Sequence, residues 1–315
     1  MHNKEYRPTL AQLRTFVTVA ENKHFGTAAA KLEISQPSLS QGLVALEQGL
    51  GVQLIERSTR KVIVTSAGET LLPYAKSTLE AADTFLAHAR GAHGTLSGPL
   101  TIGVIPTIAP YILPDLLAKI TETYPELEPR FVEEQTQHLI ARLRNGNLDL
   151  AVLALPSEAT GMVDSPLYTE DFAIVSPPDH PIAGRTDVQV AELRDLDLLL
   201  LDDGHCLRDQ IVDLCRHAHV NPAEATNSVT RASSLTTIMQ LVMGGLGCTL
   251  VPKSALATEC HGKNLGVAYF SPDVTAEREI GLVFRSSAAR SEEFREFGTL
   301  ITAAYENALV RSLEG

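Results

Sequence analysis

The sequence predicts a mixed architecture: a mainly α head of three short helices with a β wing, then one long helix, then an α/β body of two lobes. Three observations predict it. Apolar residues recur at spacings of three and four up to Arg90, strand and helix patterns alternate from Pro99 onward, and the charge changes sign between the two parts. From Met1 to Lys61 eight Lys or Arg face five Glu, a net +3, so the chain's total of −12 leaves −15 for the rest. A small basic head before a large acidic body suits a DNA-binding module attached to a domain that stays off DNA.

In the head, Thr9 caps a first helix with the apolar face Leu10, Leu13, Phe16, Val17 and Ala20, and Gly26 with Thr27 stops and restarts the chain. A short helix from Thr27 to Leu32 follows. Ser35 caps a third, Pro37 sits in its tolerant first turn, and Leu39, Leu43 and Leu46 form its buried stripe up to Gly49 and Gly51. The order suggests a helix-turn-helix whose third helix recognises DNA. Gln36, Pro37, Ser38, Ser40 and Gln41 lie in its first turns, with neutral hydrogen-bonding side chains suited to base edges. The stretch Leu54 to Val64, carrying Arg57, Arg60 and Lys61 between apolar positions, reads as a wing that reaches phosphates. A plain helical bundle with a polar face would give a similar three-helix pattern.

Ser66 to Glu69 has the form of a capping box and opens a long helix to about Arg90. Its stripe of Leu72, Ala75, Leu79, Ala82, Leu86 and Ala89 calls for helix packing, best supplied by a second subunit, and Pro73 is expected to kink it. Gly91 to Gly98 is rich in glycine and small polar residues and reads as a hinge. The body then alternates: strand 100–105, helix 110–123, strand 129–133, helix 136–144, strand 148–153, then strands near 172–176, 197–201, 248–251 and 265–268 with helices 207–216 and 234–243, and last strand 278–285 and helix 292–307. This pattern predicts a largely parallel sheet and two lobes joined by two crossings, with a cleft between the lobes.

With 315 residues, 44% hydrophobic and 20% charged, the chain has room for two or three globular domains, and four cysteines make no disulfide scaffold. MHNKEYRPTL holds no apolar core of signal-peptide length, and no later run approaches the roughly 18 apolar residues of a membrane span. The expected location is the cytoplasm, where a disulfide is transient and regulatory.

The run DGHCLRDQIVDLC, Asp203 to Cys215, sets two cysteines on one amphipathic helix with Leu207, Ile211 and Leu214 on its apolar face. Cys206 falls in the first turn, where the helix dipole favours a thiolate and Arg208 adds charge. At about 1.5 Å per residue, nine residues of helix separate the two Cα atoms by roughly 13 Å. A disulfide tolerates about 7 Å. If these two cysteines pair, the helix must unwind; two unrelated buried cysteines remain the commoner case for the residue type. Cys248 reads as core and Cys260 as incidental. A metal site of Cys206, Cys215, His217 and His219 is disfavoured because histidines two apart point to opposite sides of a helix.

The run from Leu10 to Glu69, LAQLRTFVTVAENKHFGTAAAKLEISQPSLSQGLVALEQGLGVQLIERSTRKVIVTSAGE, resembles the winged helix-turn-helix of LysR-type transcriptional regulators, and the two-lobed remainder resembles their periplasmic-binding-protein-like effector domain. Within that family, IPTIAPYILP at Ile105 to Pro114 and GHCLRDQ at Gly204 to Gln210, with a second cysteine nine residues after the first, look like the peroxide-sensing members. The resemblance implies that Cys206 is the peroxidatic cysteine and Cys215 the resolving one. It implies also that Thr107, Thr136, His205, Gln210 and Arg278 surround the peroxide, with no cofactor and no metal. The partners it implies are operator DNA, hydrogen peroxide and further copies of the chain in a dimer of dimers, away from membranes. The expected divisions are 1–65 for the DNA-binding domain, 66–91 for the linker helix, 92–98 for the hinge, 99–168 with 275–315 for lobe I, and 169–274 for lobe II. Two other readings stay open: a LysR-type regulator that binds a small organic effector in the cleft, and a thiol peroxidase.

Overall fold

The computed structural model describes residues 6–57, 62–89, 96–217 and 232–314. The chain divides into two compact units, one of residues 1–95 together with 142–147 and 287–290, the other holding the remainder.

In the first unit α1 (Leu10–Asn22), α2 (Phe25–Lys31) and α3 (Gln36–Leu50) pack around Phe16, Val19, Ala28, Leu39, Leu43 and Leu46, all buried. Thr9 caps α1 in a capping box with Gln12, and Ser35 caps α3 through the Ser38 N–H. The break between α1 and α2 falls earlier than the glycine suggested. Lys23 takes the left-handed conformation that ends α1, and the His24 ring caps α2 by accepting from the Thr27 N–H, so α2 starts at Phe25 rather than Thr27. The wing is an antiparallel pair, β1 (Ile55–Arg57) and β2 (Val62–Val64), with Ile55 opposite Val64.

The long helix α4 (Ser66–Ala89) is capped one residue before the capping-box serine: the Thr65 hydroxyl accepts from the Gly68 N–H, and Ser66 is already helical. It packs against α1, with Ala75 buried and Leu72, Leu79 and Ala82 half-buried. Tyr74, Phe85 and Leu86 stay exposed, Phe85 at 71%.

The second unit is built on a seven-stranded sheet in the order β4-β3-β5-β9-β6-β7, with β8 on the other side of β6. Its strands are β3 (Gly98–Val104), β4 (Leu127–Glu133), β5 (Leu150–Ala154), β6 (Met162–Ser176), β7 (Thr249–Pro252), β8 (Gly266–Tyr269) and β9 (Glu277–Arg285). The sheet is not largely parallel: β3 runs parallel to β4 and β5, but the β5/β9, β6/β9, β6/β7 and β6/β8 pairs are antiparallel. The cause is β6. This strand of 15 residues pairs with β9 as far as Asp171 and from Phe172 onward lies between β7 and β8, so it carries the chain from one lobe into the other. The return crossing is Ala276 into β9, and here Glu170 stands directly opposite Arg278.

Helices α5 (Ala109–Thr123), α6 (Thr136–Arg144) and α10 (Ser291–Glu314) accompany the first lobe, and α7 (Cys206–His217), α8 (Leu235–Met243) and α9 (Leu256–Glu259) the second. Residues 197–201, read as a strand from their apolar run, form only isolated bridges: Leu198 to Cys248 and Leu201 to Ala232. Their leucines are buried in the second lobe's core with Leu207, Ile211 and Cys215 of α7. Leu214 is half-buried; Cys215 takes the inward position at the spacing of four from Ile211.

Truncating the fully buried Leu43 should cost the head about 2–5 kcal/mol. The expected result for Leu43→Ala is faster hydrogen exchange of the α1 and α3 amides, and unchanged protection there would contradict this packing.

Candidate functional site

Cys206 is the first residue of α7, and a single helix continues through Cys215 to His217, so the separation by nine helical residues holds in this state. The turn before it is fixed by Gly204, whose φ of +91° L side chains rarely adopt; a Cβ there would also lie 2.7 Å from Gln135 Oε1, so that side chain would have to move. Gln135 also donates through Nε2 to the Asp203 carbonyl at 3.4 Å.

Around Cys206 the two lobes contribute opposite walls. Ile105, Pro106 and Thr107 come from the turn after β3, Gln135 and Thr136 from the start of α6, and Gly204 and His205 from the turn before α7. They enclose a narrow pocket of about 160 Å³ counted out to its open mouth. Behind it, Arg278 donates from Nη1 to Thr107 Oγ1 at 2.9 Å and from Nη2 to the Thr107 carbonyl at 3.0 Å. With one lone-pair direction taken by the guanidinium, the Thr107 hydroxyl has its proton free to donate toward Cys206. The Thr136 hydroxyl is buried without a hydrogen bond of ordinary geometry, close enough to Cys206 to favour its ionised form.

Burial pushes the Cys206 thiol up from its ordinary value, opposed by the Arg278 charge, the Thr136 and Thr107 hydroxyls and the Leu207 N–H. The expectation that Arg208 supplies the positive charge is corrected: its Nε pairs with Asp203 Oδ1 at 2.9 Å and its Nη1 donates to the Leu201 carbonyl at 3.4 Å. A carboxylate close to it in sequence captures it, and the nearby cation comes from β9 instead. Burial pushes the His205 imidazole down, against Asp202, which leaves it neutral at pH 7.

Thr107, Thr136, His205 and Cys206 thus line one pocket, with Arg278 bonded to Thr107. Gln210 lies one turn further along α7, half-buried, its Oε1 without a hydrogen-bond partner. Cys215 is apart from the pocket, in the second lobe's core, where burial raises its thiol pKa. Cys248 is also core, and Cys260 ends α9 against the same cluster; burial pushes both thiols up to about 11. Sequence reasoning missed Gln135, Glu170 and Ser254. Glu170 accepts from Arg278 Nη2 at 2.6 Å and Nε at 2.9 Å. No motif contains these three, and only the strand register brings Glu170 to Arg278.

In the head, Gln36, Pro37, Ser38 and Gln41 are exposed at the start of α3, while Ser40 is half-buried. The Ser38 hydroxyl is engaged by that of Ser35 at 2.8 Å. Arg57 ends β1; Arg60 and His219 lie outside the described residues.

Residues 10–69 match the model of the bacterial regulatory helix-turn-helix protein, lysR family, and residues 93–306 that of the LysR substrate binding domain. Over 315 residues the chain is 50% identical to a "Probable hydrogen peroxide-inducible genes activator" of Mycobacterium avium, covering 99% of this chain and 100% of the other. It is 39% identical to the DNA-binding transcriptional dual regulator OxyR of Escherichia coli K12, over 93% of this chain and 95% of that one. The chain belongs to the OxyR family of LysR-type regulators. Among solved structures of the family, that of the Corynebacterium glutamicum OxyR C206S mutant, H2O2-bound, is 65% identical with a TM-score of 0.71, covering 99% of this chain and 97% of that one. A full-length OxyR variant of Pseudomonas aeruginosa gives a TM-score of 0.79 at 33% identity, over 94% of this chain and 98% of that one.

Arg278→Gln removes the charge that opposes burial at Cys206, so the thiol pKa should rise further. At a fixed pH below it, each unit of rise slows thiolate reactions about tenfold. Iodoacetamide alkylation of Cys206 is expected to slow by at least that factor, with a stability loss of about 3–5 kcal/mol because Glu170 is left buried and unpaired.

Proposed function

We propose that the chain is a cytoplasmic transcriptional regulator that binds operator DNA through its head and responds to hydrogen peroxide at Cys206, switching by a reversible disulfide to Cys215. The observation that carries this reading is the pocket itself: a thiol at a helix start, two threonine hydroxyls facing it, and a guanidinium held behind one of them. The pocket's interior leaves about 0 Å³ for a water-sized sphere in this state, against the roughly 300–1,000 Å³ usual for organic ligands. The ground where β6 and β9 cross, where an organic effector would bind, is filled by Arg278 and Glu170, at 0% and 1% exposure.

The Cys206 thiolate attacks one peroxide oxygen. The S–O bond forms as the O–O bond breaks, the sulfur is oxidised by two electrons, and the departing hydroxide takes a proton and leaves as water. In this reading the Thr107 and Thr136 hydroxyls, which lie beside Cys206, donate to the oxygen that gains charge, and His205 borders the same space. The sulfenic acid then meets the Cys215 thiol: the S–S bond forms, the S–O bond breaks, and water leaves again. That second step requires α7 to unwind. Burial of Leu207 and Ile211 opposes unwinding by roughly 1.5–3 kcal/mol each, and half-buried Leu214 by less. A disulfide that forces such a change supplies the two states a regulator needs. The exposed Tyr74, Phe85 and Leu86 of α4 suit contact with another copy, in keeping with a dimer of dimers.

Cys206→Ser should abolish reaction with peroxide, whereas Cys215→Ser should still react and stall as the sulfenic acid, trapped and weighed by mass spectrometry. Equal loss of the fast reaction in both variants would reverse the assignment of the nucleophile. On oxidation of the wild type, amides from Leu207 to Leu214 should lose protection from hydrogen exchange; a disulfide formed with that protection intact contradicts the unwinding.

For the head, Gln36→Ala should relax sequence preference, and Arg57→Ala should weaken binding and flatten its salt dependence. Both are read by footprinting and titration at several salt concentrations. An unchanged footprint and salt slope would remove α3 and the wing from the interface.

A further inference from the structure

We propose that Glu170 is a positioning residue of the peroxide site: acting through Arg278, its carboxylate aims the guanidinium at Thr107 and offsets the positive charge that Cys206 feels. This rests on the reading of Cys206 as the peroxide-reactive thiol. Glu170 and Arg278 are cross-strand partners at the point where β6 and β9 leave one lobe for the other. One carboxylate oxygen accepts from Arg278 Nε and Nη2. The other accepts from the Ser254 N–H at 3.2 Å and, in a short contact, from the Ser254 hydroxyl. With Nε and Nη2 tied to Glu170, rotation of the guanidinium is removed, and Nη1 can point only at Thr107 Oγ1.

The other groups facing this pair are neutral. Tyr168 on β6, Tyr305 on α10 and Tyr111 on α5 are phenols whose pKa values are raised, chiefly by burial, with the Glu170 charge adding to each. His205 beside Cys206 is kept neutral by burial. Lys253, next to Ser254, pairs outside the core with Asp171 at 2.6 Å. Glu170 is therefore the charge that balances Arg278, and its removal should expose Cys206 to the full guanidinium charge.

The test uses the reduced full-length protein and two readouts: the midpoint of the pH profile of Cys206 alkylation by iodoacetamide, and the rate of Cys206 oxidation by hydrogen peroxide expressed per thiolate. Glu170→Gln keeps shape and one acceptor but removes the charge. The midpoint should fall by about one pH unit, while the rate per thiolate drops roughly tenfold or more as the guanidinium loses its aim. In an Arg278→Gln background, where no guanidinium is left to aim, the same substitution should no longer lower the rate per thiolate. Ser254→Ala retains both charges, so it should leave the midpoint in place and lower only the rate per thiolate. A midpoint that stays or rises in Glu170→Gln, or an equal loss of rate per thiolate without Arg278, overturns the proposal. Should Glu170→Gln not fold, an unchanged rate per thiolate in Ser254→Ala overturns it instead. Failure of wild-type Cys206 to react with peroxide would strike the reading beneath the proposal and is distinguishable from all of these.

Discussion

The structure of the sensing unit depends on one buried ion pair. Bringing a guanidinium and a carboxylate out of water costs several kcal/mol for each, and attraction alone repays that only when every remaining donor and acceptor is satisfied. Here Arg278 and Glu170 come close to that condition: four of the five guanidinium N–H groups are taken by Glu170 and by the Thr107 hydroxyl and carbonyl in the turn after β3, and Glu170 also accepts from the Ser254 N–H and hydroxyl in the turn after β7. The pair sits where the chain crosses between lobes, so the same contacts that neutralise the charges also fix the strand register and the wall of the thiol pocket. A one-residue slip of β6 against β9 would send Glu170 to the other face of the sheet and leave Arg278 buried alone.

On the proposed reading, that arrangement reconciles an elevated thiol pKa with a reactive site: burial favours the neutral thiol of Cys206, while Arg278 and the Thr107 and Thr136 hydroxyls favour the charged form. Cys248 and Cys260 are desolvated too: Asp197 adds to the effect of burial at Cys248, while at Cys260 the Lys263 charge favours the thiolate and Glu259 opposes it.

The elements were legible in the sequence wherever local chemistry decided them. Thr9 and Ser35 as caps, the Leu39, Leu43 and Leu46 stripe and the helical spacing of Cys206 and Cys215 all depend on neighbours within one or two turns. What resisted reading was nonlocal. Residues 197–201 look like a strand because they are apolar, but an apolar run buried in a core need not find a ladder partner. The antiparallel majority of the sheet follows from the length of β6, of which only the apolar last third stood out. Arg208 looked like the cation of the site because it is near in sequence, yet a closer carboxylate captured it. Thr107, His205 and Cys206 could be picked out from their motifs, whereas Glu170 and Ser254 acquire a role only through pairing across more than 80 residues.

The bridge from Leu201 to Ala232, reinforced by the Asp202 N–H donating to the Ala232 carbonyl at 2.9 Å, ties together the two ends of the segment that contains both α7 cysteines. In this state the two ends are already held together, so the unwinding of α7 proposed on oxidation starts from a chain pinned at Leu201 and Ala232 and carries less closure entropy than a free segment would. Reversibility of the proposed switch is in this sense a topological matter: with that pin in place, the segment can come undone and return without unravelling the cloth.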